Sequence, residues 1–215
     1  MLNNIPQKLP DGTTNPEWLK ARMGKVTASR VVDILAKTKS GYSTSRQNYM
    51  MELLCHKLTG KVEESWSSPA MQRGTELEPK ARAFYELVKE PVTECGLISH
   101  PSIPNFAASP DGLVGDSGLI EIKCPNTANH WDFIKTQKPD GKYIIQMQVQ
   151  MMCTNRAWCD FVSFDDRMPT ELQFSCVRIP MDYEHCGEIA QEVIKFNSEL
   201  EEEYQLALNF IKQRG

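Results

Sequence analysis

The residues best equipped for chemistry lie between 109 and 123. Ser109-Pro110-Asp111-Gly112 comes first, and nine residues separate Asp111 from Glu121-Ile122-Lys123. The run Leu119-Ile120-Glu121-Ile122-Lys123 alternates with period two, the pattern of a strand. Glu121 and Lys123 then share one face while Ile120 and Ile122 pack the other. A turn at Asp111-Gly112 can fold Asp111 back beside that first face. Two carboxylates and an ammonium pack poorly together but make a reactive set. The carboxylates can hold hard divalent cations, and the ammonium can bind a phosphate or orient a water. Taken alone, the same residues are equally compatible with an ordinary Asp-Gly turn and a solvated strand.

The neighbourhood separates these readings. Arg73-Gly74-Thr75-Glu76-Leu77-Glu78 lies upstream in a predicted helix, and Gln146-Met147-Gln148-Val149-Gln150 lies downstream in another. A Gly-x-x-x-Glu helix, Pro-Asp-Gly, Glu-x-Lys and a Gln-bearing helix, in that order, resemble the PD-(D/E)XK nuclease superfamily. The opening Trp18-Leu19-Lys20-Ala21-Arg22-Met23-Gly24, followed by Thr27-Ala28-Ser29, narrows the resemblance. It points to the lambda exonuclease and YqaJ-type viral recombinase family, in matched order from about Trp18 to Asp166. The fold so implied is α/β, with a central mixed β-sheet flanked by helices.

Hydrolysis of a DNA phosphodiester requires an in-line water, neutralised charge on the phosphate and a stabilised leaving oxygen. Two divalent cations about 4 Å apart can supply all three. Asp111 and Glu121 are the first candidates as ligands, with Asp111 as the bridge. The resemblance adds the backbone carbonyl of Ile122 and places Glu78 at the second metal. An oxygen-only set suits Mg²⁺, two per site, with Mn²⁺ able to substitute. Lys123 either takes a proton from the attacking water, if neighbouring cations depress its pKa, or orients that water while charged. Gln146 can donate to phosphate or water, and the resemblance maps the family glutamine onto it. Gln148, two residues on, points elsewhere on a helix.

A second constellation concerns phosphate ends. Arg22 can grip a phosphate with two nitrogens, and a serine near a helix start, such as Ser29, joins free backbone amides in an anion site. The resemblance matches Arg22 and Ser29 to residues that bind the 5′-phosphate of the digested strand, and Ser109 to another residue of that pocket. Lys39 falls where the family carries an arginine, so a point charge replaces a two-nitrogen grip.

Single-domain size is the default for 215 residues, and 40% hydrophobic content gives material for a core. No apolar run approaches a membrane span, and no basic-then-apolar leader opens the chain, so membrane insertion and secretion are not expected. Seven cysteines, scattered and without a Cys-x-x-Cys pair, read as reduced thiols rather than as a zinc site, disulfide framework or iron–sulfur set. The net charge of −4 at first argues against nucleic acid, but it is unevenly spread. Residues 1–60 carry nine Lys/Arg against four Asp/Glu, and residues 182–215 carry three against eight. A basic front and an acidic tail suit a DNA channel on one side and a solvated or partner-facing surface on the other. They equally suit ordinary solvated helix faces.

The elements that must hold these residues can be outlined. After an irregular lead-in over 1–15, Asn15-Pro16-Glu17 opens a helix. Thr27 caps a second helix to Leu35, a Lys/Ser/Gly linker follows, and 45–58 is a helix stopped near Gly60. A longer helix spans 69–89, with a possible irregularity at Gly74 or Pro79. Extended segments follow at 92–100, 105–109, 112–115 and 119–123, then helices at 127–136 and 141–153. Strands at 156–164 and 172–179 precede a C-terminal helix from 182 to about 212. Trp18, Trp131 and Trp158 read as core anchors, Met147, Met151 and Met152 as core filling, and the four histidines as structural.

The leading function implied by the resemblance is a processive, metal-dependent 5′→3′ double-strand DNA exonuclease. It would expose 3′ single strands for phage-type recombination by annealing. With it come a ring-shaped homotrimer, a single-strand annealing protein as partner, and a phage or prophage origin in a bacterial cytoplasm. A structure-specific or restriction-like endonuclease keeps the same site. A catalytically inactive DNA-binding or assembly protein is the third reading, opposed by the complete set Glu78, Asp111, Glu121 and Lys123.

Overall fold

The computed structural model describes residues 5–9, 11–62 and 68–214. Helix α1 (Pro16–Arg22) starts where Asn15 Oδ1 accepts from Glu17 N at 3.0 Å, with a proline in the first turn. Strand β1 (Val26–Thr27), a 3-10 turn (Ala28–Arg30) and α2 (Val31–Leu35) follow. The expected helix from Thr27 is therefore shorter, and the Thr27 side chain makes no cap. The expected linker after Leu35 is instead a β2 (Lys37–Thr38) and β3 (Gly41–Tyr42) hairpin. Helix α3 (Thr44–Thr59) ends on Gly60 at φ 64°, a conformation glycine adopts without Cβ strain. Helix α4 (Pro69–Val88) starts on Ser68, whose Oγ accepts from Met71 N at 3.2 Å, and carries Pro79 within its length.

Five short strands come next: β4 (Val92–Thr93), β5 (Ile98–Ser99), β6 (Phe106–Ala108), β7 (Gly112–Val114) and β8 (Gly118–Lys123). Helices α5 (Thr127–Thr136) and α6 (Gly141–Thr154) connect β8 to β9 (Trp158–Phe164). Strand β10 (Phe174–Pro180) and the long α7 (Tyr183–Arg214) complete the chain.

The strands divide between two layers. A mixed five-stranded sheet has the order β10-β9-β8-β7-β4, parallel only between β8 and β9. That parallel pair is the one joined by a helical crossover, as parallel strands require. A three-stranded sheet, β1-β6-β5, stands apart from it. On one face of the larger sheet Ile120, Ile122, Val162 and Phe164 pack against Ala81 and Tyr85 of α4. On the other face Leu119, Cys159 and Phe161 pack against Phe133 of α5 and Met147 and Met151 of α6. The period-two alternation along β8 is thus realised: its even positions bury toward α4 and its odd positions face α6. Gly112 carries no positive φ; a Cβ there would lie 2.1 Å from Val92 Cγ1. The glycine after Asp111 serves the close β4–β7 approach as well as the chain's change of direction.

One smaller expectation shifts. Met147 and Met151 are fully buried and Met152 nearly so, but Trp131 is 44% exposed and belongs to the surface. No helix among the described residues is long and apolar enough to cross a membrane.

Candidate active site

Asp111 lies on the short link between β6 and β7, where the chain passes from the smaller sheet to the larger. Its Oδ2 accepts from the backbone N–H of Ile122 at 2.6 Å, which sets the carboxylate against β8. Glu121 projects from β8 toward α6 and is fully buried. Its Oε1 takes the ammonium of Lys123 and, at 2.7 Å, the Gln146 amide; its Oε2 takes the Gln150 amide at 2.6 Å. Gln146 and Gln150 are one helical turn apart, so both reach the same carboxylate. Gln148 turns away, accepting from Asp182 N and donating to Pro180 O.

The electrostatics follow from this crowding. Burial, reinforced by the negative charges of Glu121 and Glu78, pushes Asp111 well above the ordinary aspartate value. Burial also raises Glu78, against the opposing pull of Arg82 and Lys8. Glu78 Oε1 accepts from Arg82 Nη2 at 2.9 Å, one turn along α4. For Lys123, burial acts to lower the pKa, but Glu121 and Asp111 outweigh it and hold the ammonium above the usual lysine value.

The phosphate candidates reach the same place. Strands β1 and β6 run parallel with Thr27 beside Ala107, and Ser29 in the 3-10 turn and Ser109 on the link to β7 lie just past their ends. Together with Arg22 they line one cleft of about 170 Å³ that also contains Asp111, Glu121, Lys123 and Gln146. Arg22 lies over the Trp18 ring at 4.4 Å, and its nearest hydrogen-bond acceptor is Thr27 Oγ1 at 3.5 Å. It forms no ion pair among the described residues, and burial lowers its pKa. Lys39 is not brought to the cleft: it occupies the exposed turn between β2 and β3.

Two contributors escaped the sequence reading. Gln150 was legible as the i+4 partner of Gln146, a spacing that places both on one helix face. Gln7 lines the cleft from the lead-in, which is held down because Asn15 binds the carbonyls of Pro6 and Gln7. No local pattern around Gln7 signals this.

The donors fit a hard divalent cation. Asp111 and Glu121 offer carboxylate oxygens whose charges repel each other, and a cation between them would relieve that repulsion. Among the described residues no group of three or more His, Cys, Asp or Glu side chains converges on one point. The remaining ligands would therefore include water, substrate or the Ile122 carbonyl.

A mixed sheet packed between α4 and the α5–α6 pair, with Pro-Asp-Gly leading into it and Glu-x-Lys on its central strand, is the PD-(D/E)XK nuclease fold. Within that class, the chain belongs to the YqaJ-like viral recombinase domain family, whose pattern its residues 17–157 match. Among solved structures it is similar to the alkaline exonuclease LHK-Exo from Laribacter hongkongensis. The two share 54% identity over 94% of this chain and 100% of that one, at a TM-score of 0.87. The complex of LHK-Exo with dAMP matches at 55% identity, the same coverage and the same TM-score. A phage-related exonuclease from Haemophilus somnus 129PT shares the fold at 18% identity, over 87% of this chain and 96% of that one, with a TM-score of 0.67. Comparison with functionally curated proteins gave no match.

Proposed function

We propose that the chain is a processive, metal-dependent 5′→3′ exonuclease. Its substrate is double-stranded DNA with 5′-phosphate ends, and its product carries 3′ single-stranded overhangs for phage-type recombination by strand annealing. The observation that carries this reading is the shared cleft. An arginine without an ion-pair partner among the described residues and two serines line the same 170 Å³ cleft as the carboxylate pair, Lys123 and Gln146. A terminal phosphate held by Arg22, Ser29 and Ser109 would place the adjoining phosphodiester beside those carboxylates. The name and the dAMP complex of LHK-Exo, at more than half identity, support the same reading.

Each residue then has a task. Asp111, Glu121 and the Ile122 carbonyl would hold Mg²⁺, with Glu78 serving a second ion; bound metal would supply charge neutralisation and a more acidic water. Without metal, Glu121 and Asp111 hold the Lys123 ammonium above the usual lysine value, which supports a cation that orients water and touches phosphate. Gln146 fixes Glu121 and stands at the cleft wall, within reach of a phosphate oxygen. Lys39 at the hairpin tip would contribute a long-range charge. The same reading makes the chain one nuclease domain, assembled as a homotrimer, working with an annealing protein in a bacterial cytoplasm.

The direct test is release of acid-soluble nucleotides from linear duplex with Mg²⁺, abolished by a chelator. Mn²⁺ is expected to restore it. A covalently closed circle is expected to survive, and its cleavage would replace the exonuclease with an endonuclease.

A further inference from the structure

Gln150 has a chemical partner that its position in the core does not require. It is fully buried on α6, and its amide N–H₂ reaches only one acceptor among the described residues, Glu121 Oε2 at 2.6 Å. Its own carbonyl oxygen, also buried, has no hydrogen-bond partner among them. A side chain kept for packing alone would be replaced at less cost by an apolar one of the same shape. The opposite amide orientation would set Oε1 against a carboxylate oxygen, so the donor must face Glu121.

The two oxygens of Glu121 are thus held differently. Oε1 meets Lys123 and Gln146 at the cleft, whereas Oε2 is fixed from within the core, among the described residues, by Gln150 alone. We infer that Gln150 is a positioning residue for the metal site: it locks the Glu121 carboxylate so that Oε1 is presented toward Lys123 and the cleft. This rests on the metal-dependent reading above and adds a residue that acts only through Glu121. Donors behind a metal-binding carboxylate fix its orientation, and losing one typically weakens metal affinity by about 10- to 100-fold.

The test is Gln150→Met, which keeps length and fills the space but removes the donor. Mn²⁺ binding is measured by calorimetry on the protein without DNA, alongside the Mg²⁺ concentration giving half-maximal nucleotide release. The Mn²⁺ dissociation constant and that Mg²⁺ concentration are both expected to rise about tenfold or more. Affinity for a 5′-phosphorylated duplex in chelator should not change, since the Arg22 pocket is untouched. A folded Gln150→Met with wild-type Mn²⁺ affinity would overturn the inference while leaving the nuclease reading intact. Failure of the wild type to bind Mn²⁺ would remove both. If the variant does not fold, a wild-type crystal soaked in Mn²⁺ decides. The Gln150 amide on Glu121 Oε2 upholds the assignment, and an amide directed elsewhere overturns it.

Discussion

Asp111 and Glu121 carry opposite burdens within one small volume. Glu121 is buried with three donors, whereas Asp111 has one backbone N–H and faces two negative neighbours. Replacing either by alanine removes charge that the other cannot supply. Asp111→Ala and Glu121→Ala are each expected to cut nucleotide release by on the order of 10³-fold or more, from the several kcal/mol that metal-held charge contributes. Near-normal release by either variant, with an intact melting transition, would discard the metal assignment. The raised pKa of Asp111 also predicts a pH effect without metal. A carboxyl that holds its proton more tightly when folded contributes stability at low pH. That contribution is lost as pH rises from the ordinary value of 3.8 toward the elevated one. In chelator, the melting temperature of wild type should therefore decline over this range relative to Asp111→Asn, which has no proton to lose. Added Mg²⁺ should reduce the difference. Parallel melting curves for the two proteins across pH would show that Asp111 is not held protonated.

Elements bring these residues together, and their legibility in the sequence was uneven for physical reasons. Strand β8 could be read because period two survives burial on both faces, and α6 because Asp140 caps it and Asn155 ends it in the left-handed region. Helices α3 and α4 were placed to within about a residue at most ends by a serine, a proline and a glycine at their termini. The two-residue strands β1, β2 and β3 were missed because two residues carry no periodicity; partners distant in sequence, or a tight turn, define them. The separation into two sheets was hidden for the same reason. It matters, since the proposed phosphate pocket gathers beside β1 and β6, Glu121 and Lys123 stand on the larger sheet, and Asp111 lies on the link between the two. Arg22 at the end of α1 is the clearest probe of that junction. Duplexes with 5′-phosphates should be digested faster than those with 5′-hydroxyls, and Arg22→Ala should erase most of the difference while retaining single-turnover cleavage. Equal wild-type initial rates on both ends would remove the pocket from the mechanism. A second junction is structural. Asp165, fully buried after β9, accepts from Arg73 of α4 at 2.9 Å, from Arg167 at 2.8 and 2.9 Å, and from Thr127 of α5 at 2.7 Å. Burial would raise its pKa, but these hydrogen bonds outweigh it and hold the carboxyl well below the usual range. Its stabilisation is present above the ordinary aspartate pKa and lost as pH falls through that value and below. Asp165→Asn should lower stability at neutral pH by about 2 kcal/mol, read as a lower urea midpoint with an unchanged slope. An unchanged midpoint would show the network to be dispensable.

Charge at the scale of the whole molecule was only half legible. The basic front and acidic tail do not face different partners throughout. Lys37 pairs with Glu192, Arg46 with Glu199 and Lys57 with Glu201, so much of the front is neutralised by α7 within the chain. Lys8, Lys20, Arg22, Lys25 and Lys39 form no ion pair among the described residues and remain available to an anion. Five such cations on a chain of net charge −4 cannot by themselves hold a duplex through a long digestion at physiological salt, because each phosphate contact is weak and screened. Processive digestion would then need topology, and the ring implied by the family resemblance supplies it: a closed ring retains its substrate even when every contact is brief. The protein is therefore expected to scatter light as a trimer, close to three times its 24.5 kDa chain mass. Once engaged, it should continue digesting a labelled duplex after excess unlabelled DNA is added. Raising salt after engagement should slow new initiations far more than it shortens ongoing digestion, since encounter depends on charge and retention on closure. A monomer that releases its substrate after a few nucleotides in the trap would refute the ring, and the chemistry at Asp111 and Glu121 would stand without it.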